Sequence, residues 1–160
     1  MSAFRIEPFM PGLEDRVLGL ILPIQQQEFL VPITAADQPD LAAIPQVYQK
    51  GRGGFWVGLA GDEVVGSIGL IDFGSGGALR KMFLRKDRRG SGLAQALFDM
   101  LLARAEAQGL PALWLGTLSH MHAAHRFYER NGFSRVEPEA LPPDFPRMAV
   151  DTVFYRRDLR

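Results

Sequence analysis

"RKDRRGSGLAQALFDMLLARA", Arg85 to Ala105, sets a basic, glycine-broken turn directly against a long apolar stripe. Leu93, Leu97, Leu101 and Ala105 recur at helical spacing, and Ala94, Phe98 and Leu102 widen the stripe. Gln95, Asp99, Arg104 and Glu106 fall on the opposite side, and Gly109 with Pro111 ends the segment. Its start is unusual. A stable helix start carries a capping side chain, but here Ser91 is wedged between Gly90 and Gly92. A helix N-terminus offers unpaired N–H groups and a partial positive charge. Glycines there let a ligand approach the backbone, so the turn reads as an anion site matched to phosphate. Six basic residues (Arg80, Lys81, Arg85, Lys86, Arg88, Arg89) against one acid, Asp87, crowd eleven positions around it.

Outward from this helix, the chain alternates between strand and helix signals. Phe4 to Phe9 reads as a strand stopped by Pro11-Gly12. Leu13 to Phe29 has helical spacing, with Pro23 expected to break or kink it, and a second helical stretch runs from Gln38 to Lys50. Strands are expected at Phe55–Leu59, Val64–Phe73 and Ala78–Arg85, the first two joined by the hairpin-like Gly61-Asp62-Glu63. After the long helix come a strand at Leu113–Thr117, a helix at His120–Arg130 and strands at Phe133–Val136 and Val150–Leu159. The strand–helix–strand unit from Ala78 to Thr117 is long enough for a right-handed crossover, so its strands should be parallel and the earlier hairpin antiparallel. The expectation is an α/β fold: a mixed, mostly antiparallel sheet of about seven strands with about four helices on its two faces.

The 160 residues fit a single domain spanning 1–160 that can bury a real core. There is no cysteine, which excludes disulfides, thiolate metal sites and a cysteine nucleophile. Lys plus Arg is 18 and Asp plus Glu is 18, a balance that argues against a broad grip on nucleic acid or an anionic membrane. No apolar run is long enough to span a bilayer, and MSAFRIEPF lacks the layout of a leader, so a cytoplasmic protein is expected. His120, His122 and His125 raise the question of a metal. On a helix only His122 and His125 share a face, and no carboxylate is placed to complete a set, so no metal site is expected.

The turn lacks the Gly-Lys of a nucleotide-binding P-loop, and Gln95 stands where a dinucleotide fingerprint needs its third glycine. What fits is R-x-x-G-x-A, at Arg89, Gly92 and Ala94. This resembles the acyl-CoA-binding motif of the GCN5-related N-acetyltransferases. Leu79 to Leu84 resembles that family's fourth strand, and Ala124-His-Arg-Phe-Tyr128-Glu-Arg-Asn-Gly132-Phe133 resembles its A-x-x-F-Y-x-x-x-G-F segment. The order of elements matches as well, so the resemblance covers nearly the whole chain.

The resemblance implies acetyl-CoA as cosubstrate and direct transfer of an acetyl group to an amine, on a small molecule or a peptide. Backbone groups of Met82, Phe83 and Leu84 would hold the pantetheine arm. The amides of Arg89, Gly90, Ser91, Gly92, Leu93 and Ala94 would hold the pyrophosphate, with Arg85, Lys86 or Arg88 reaching the adenosine phosphate. Tyr128 matches the general acid that protonates the departing thiolate. Two positions depart from the pattern. Ala78 stands where many relatives carry a glutamate, which leaves Asp72, His122, His125 or a water chain as candidates for the base. Met121 stands where an asparagine is common. The missing glutamate also keeps open a CoA-binding sensor that has lost turnover. On the acceptor side, the resemblance points to Pro23–Pro45 and to the proline-stiffened loop Glu137–Asp151. It also allows a homodimer.

Overall fold

The computed structural model describes residues 3–160; Met1 and Ser2, the first residues of the segment read as lacking a leader, lie outside the described residues. Seven strands form one sheet in the order β1-β2-β3-β4-β5-β7-β6. They are β1 (Arg5–Pro8), β2 (Gly54–Ala60), β3 (Glu63–Asp72), β4 (Gly77–Leu84), β5 (Ala112–Thr117), β6 (Ser134–Val136) and β7 (Val153–Asp158). The helices are α1 (Glu14–Pro23), α2 (Ile44–Val47), α3 (Leu93–Ala107) and α4 (His122–Arg130). All neighbouring strands are antiparallel except β4 and β5, the pair linked through α3. That is the crossover expected from the length of the connection.

Alternation along the strands divides the core into two layers. Phe55, Val57 and Leu59 of β2, with Trp114 of β5, face α1, α2 and the loop residue Phe145. Trp56 of β2 and Leu113 and Leu115 of β5 face the other way, onto Leu93, Leu97, Phe98 and Leu101 of α3. The stripe read in the sequence is therefore the buried face of α3. It seats closely because Gly58 and Gly66 are registered partners on β2 and β3. A Cβ on Gly58 would lie 2.7 Å from Leu93 Cδ1, and one on Gly66 would lie 3.0 Å from the Leu93 and Leu97 side chains.

One helical expectation holds and one is corrected. Regular α1 ends at Pro23, as expected, and the chain continues as a π-helical turn, Ile24–Glu28, closed by Phe29 N–H donating to Ile24 O at 3.0 Å. Pro23 lacks an N–H, so the regular ladder is already broken where the pitch changes. The second stretch is not a helix from Gln38 to Lys50. It splits into a 3-10 turn (Pro39–Ala42) and the single-turn α2, each with a proline at its start. Prolines only a few residues apart, Pro39 and Pro45, remove the donors a longer helix would need.

Strands β4 and β5 form a fork. Their pairing is limited to Gly77↔Leu113 and Ala78↔Trp114. Beyond Ala78 the β5-facing edge of β4 has no strand beside it. A bulge accompanies the parting: Ser67 pairs with Phe83 and Gly69 with Arg80, so Lys81 and Met82 together oppose Ile68. Lys81 takes the bulge's left-handed conformation, φ 55°. The fully buried Ser67 hydroxyl donates to Lys81 O at 2.7 Å and holds it there.

Candidate active site

The glycine turn sits at the mouth of the fork. Gly90 and Gly92 have φ of 79° and 90°, conformations that favour glycine, and no atom lies within 4 Å of where their Cβ atoms would be. The backbone is therefore open to an approaching group. Gly92 caps α3 without a side chain, and the first amides of α3 are supported only by a long contact, Leu93 N–H to Ser91 Oγ at 3.4 Å. Ser91 also donates to Arg88 O.

The basic residues around this turn are mostly committed elsewhere. Arg85 is paired with Glu63 and Asp87, each at 2.7 Å. Arg89 forms a two-pronged pair with Glu28 of the π turn, with Nη2 to Oε1 at 2.8 Å, and donates to Leu84 O at 3.0 Å. That pairing holds the Glu28 carboxyl below its ordinary pKa. Arg88 is buried, and Lys86 is left exposed. The π turn thus ties the glycine turn to α1, a link invisible in the sequence.

Between the arms of the fork lies a cleft of about 820 Å³, including its open mouth. Leu79 to Phe83 of β4 form one wall; Gly116 and Thr117 of β5, with Leu118, Met121 and Tyr128, form the other. Gln25 and Phe29 from the π turn and Phe145, Pro146 and Asp151 from the loop before β7 enclose it. The proline-rich loop is therefore a wall, as expected. Phe145 anchors it by packing edge-on to Phe73 and Phe154. Three consecutive glutamines follow Ile24; Gln25 is buried and lines the cleft, while Gln26 and Gln27 are exposed.

Tyr128 is buried on α4 among Phe127, Phe133 and Tyr155 and lines the cleft. Burial first, then the Asp151 carboxylate and Tyr155, push its phenol well above the ordinary tyrosine value. It therefore carries its proton at neutral pH, as a proton donor must. Met121 lines the cleft with its sulfur 3.5 Å from Thr117 Oγ1.

The candidates for a base fare differently. Asp72 lies outside the cleft at the end of β3. Arg52 grips it through Nε at 2.9 Å and Nη2 at 3.0 Å, and the Arg52 and Gly74 amides each donate to it at 3.0 Å. The Arg52 hydrogen bond holds its carboxyl far below the usual range, so it is a structural clamp and a poor base. His122 and His125 share a face, rings 5.9 Å apart, but neither lines the cleft, and His125 Nε2 is engaged by Leu118 O at 2.8 Å. Ala78 is fully buried between Ile71 and Trp114.

A carboxylate that no sequence pattern marks, Asp151, does line the cleft. Asp151 lies against the end of β5, where a Cβ on Gly116 would come within 2.6 Å of its Oδ2. Its carboxylate makes no hydrogen bond or ion pair within 4.0 Å to any described residue. Burial lifts its pKa above the ordinary value, against the opposing pull of Arg80, Lys81 and Arg147. Nothing but its position at the end of the Glu137–Asp151 loop marked it beforehand. A buried polar chain supports the wall opposite. Gln25 and Gln38 exchange amide hydrogen bonds at 2.9 Å, Lys81 Nζ donates to Gln38 Oε1 at 2.6 Å, Asp40 lies 3.7 Å from Lys81, and Tyr48 donates to Asp40 at 2.6 Å. Burial pulls the Lys81 ammonium down to about 8.

Residues 20–133, more than half of the sequence, match the Acetyltransferase (GNAT) family. The chain belongs to the GNAT family. It is 33% identical over 122 residues to N-acetylaspartate synthetase of Danio rerio, covering 73% of this chain and 43% of that protein. It therefore spans under half the length of this curated relative. The crystal structure of a GNAT-family acetyltransferase from Staphylococcus aureus Mu50 superposes with TM-score 0.95 at 34% identity, over 99% of this chain and 100% of that one. The paia N-acetyltransferase of Thermoplasma acidophilum, solved in complex with coenzyme A, shares the fold with TM-score 0.74 at 10% identity, covering 98% of this chain and 99% of that one. The GNAT fold, expected from three short motifs, is present from β1 to β7. Among the described residues no group of His, Asp or Glu is arranged to hold a metal ion, and no helix is long and apolar enough to cross a membrane.

Proposed function

We propose that this chain is an N-acetyltransferase that moves an acetyl group from acetyl-CoA directly to a primary amine. The fork carries the reading: an unpaired β4 edge runs from the open glycine turn to a cleft containing a protonated phenol and a carboxylate. A strand edge left free in this way is suited to an extended amide-bearing arm, which adds to the sheet as a strand would. Backbone groups of Met82, Phe83 and Leu84 would hold the pantetheine, and the amides from Arg89 to Ala94 the pyrophosphate. An N–H near Phe83 or Leu84 would polarise the thioester carbonyl.

Asp151 accepts a proton from the incoming ammonium, which frees the nitrogen lone pair. The N–C bond forms at the thioester carbonyl, the C–S bond breaks as Tyr128 gives its proton to the departing sulfur, and the new amide nitrogen releases its second proton to solvent. Solvent then returns a proton to Tyr128 and removes the one held by Asp151. Asp151 supplies from the loop before β7 the carboxylate that Ala78 withholds from β4, which weighs against a sensor without turnover.

Two measurements test the reading. Acetyl-CoA at a hundred times its Kd should stabilise the protein by about 2.7 kcal/mol and raise Tm by roughly 5 °C. Acetyl-CoA with an amine panel should release free CoA thiol, and Tyr128→Phe should slow that release about 100-fold with CoA affinity nearly intact. Thiol release absent across the panel would overturn the proposal.

A further inference from the structure

Two oppositely charged side chains in the cleft are left without partners by the fold. The Arg80 guanidinium makes no hydrogen bond or ion pair within 4.0 Å to any described residue, and the Asp151 carboxylate makes none either. Both line the same cleft, Arg80 from β4 and Asp151 from the loop lying over Gly116 of β5. They stand on opposite arms of the fork; Arg80 is the strongest charge felt by Asp151, but the two form no ion pair within 4.0 Å.

We propose that the acceptor is a small amino carboxylate, its ammonium seated at Asp151 and its carboxylate gripped by Arg80. The β4 bulge makes this possible. In a regular strand Arg80 and Lys81 would point to opposite faces. With the extra residue in β4 and Lys81 at φ 55°, both line the cleft. The two cations then play different parts. Lys81 is held by Gln38 and Asp40 and contributes mainly its field. Arg80 has its planar fork of donors available, the geometry that binds a carboxylate through two parallel hydrogen bonds. A plain amine would satisfy Asp151 and leave a half-buried guanidinium unanswered. A simple anion would do the reverse. A zwitterion answers both, and its amine arrives beside the group that takes its proton.

The proposal rests on the acetyl-transfer reading only for the fate of the amine; binding does not require it. The test compares common L-amino acids and β-alanine with their carboxamides, following CoA thiol release. In parallel, calorimetric titration of the same compounds into the protein saturated with coenzyme A reads binding without turnover. Carboxylates should exceed their carboxamides in kcat/KM by at least ~10-fold, since each charge-assisted hydrogen bond lost is worth about that much. Arg80→Ala should collapse the ratio toward one by raising KM for the carboxylates, and Arg80→Lys should recover part of it. Melting curves with acetyl-CoA would show that each variant is folded. Thiol release that ignores the carboxylate would overturn the acceptor class and leave acetyl transfer standing. Carboxylate-dependent, Arg80-dependent binding without thiol release would do the opposite. Failure of every amino carboxylate to bind the CoA-saturated protein would overturn the acceptor class outright.

Discussion

In the proposed mechanism, Asp151 takes the base role that Ala78 leaves open on β4. Its carboxyl is surrounded by Arg80 and Lys81 of β4, Arg147 of its own loop and Tyr128 of α4, yet burial outweighs the cations and raises its pKa. A carboxylate shifted upward is a stronger base than one in water. The acidic limb of a pH–kcat/KM profile should therefore have its midpoint above the ordinary aspartate value near ~4. Asp151→Asn should remove that limb and lower kcat about 100-fold. An unchanged limb in the variant would place the base elsewhere. Lys81 shows the same physics with the opposite sign: burial disfavours its charge, and Asp40 and Asp151 restrain the loss.

At the scale of elements, α3 is both a core helix and half of the proposed pyrophosphate site, and the two roles meet at its first turn. Leu93 begins the helix and is fully buried against β2 and β3. It fits because Gly58 and Gly66 offer no side chain beneath it. Gly58→Ala should place a methyl group 2.7 Å from Leu93 Cδ1 and destabilise the fold by roughly 1–3 kcal/mol. Lifting Leu93 also displaces its own amide and the glycine turn before it, so CoA affinity measured by calorimetry should fall along with the denaturation midpoint. The π turn after Pro23 has a comparable double role. Its Glu28 pairs with Arg89 at the glycine turn, and its Gln25 enters the cleft's polar chain, so one helical irregularity spans the two halves of the site.

Across the whole molecule, the sheet is one surface with a controlled split, and the site occupies the split. The ends that are not split are fastened. Asp72 joins the end of β3 to the Gly51-Arg52 turn through a bidentate arginine and two amides. Its folded pKa is depressed, so its contribution to stability is complete above the ordinary carboxylate value and is lost as pH falls below it. Asp72→Asn should remove about 2 kcal/mol at neutral pH. It should also flatten the decline of stability on acidification below about pH 4 in chemical denaturation series.

The elements of this chain were readable because their signals are local. The α3 stripe, the alternation of β2 and β5, and the glycines of the cradle are each set by neighbours in sequence. Tyr128 and the β4 segment were readable from motifs. The other half of the site was not. Arg80 and Lys81 lie on one face only because of a bulge whose register depends on β3, and a single extra residue reverses which side each chain position faces. Asp151 ends a loop without periodicity and meets Tyr128 across elements far apart in the chain. Asp72 and His125, plausible bases by residue type, are held by partners that folding brings to them, Arg52 and the Leu118 carbonyl, and His122 lies outside the cleft. Residue type and spacing prescribe which groups a chain can offer. Whether a carboxylate becomes a clamp or a base depends on the charges and the water that folding leaves around it.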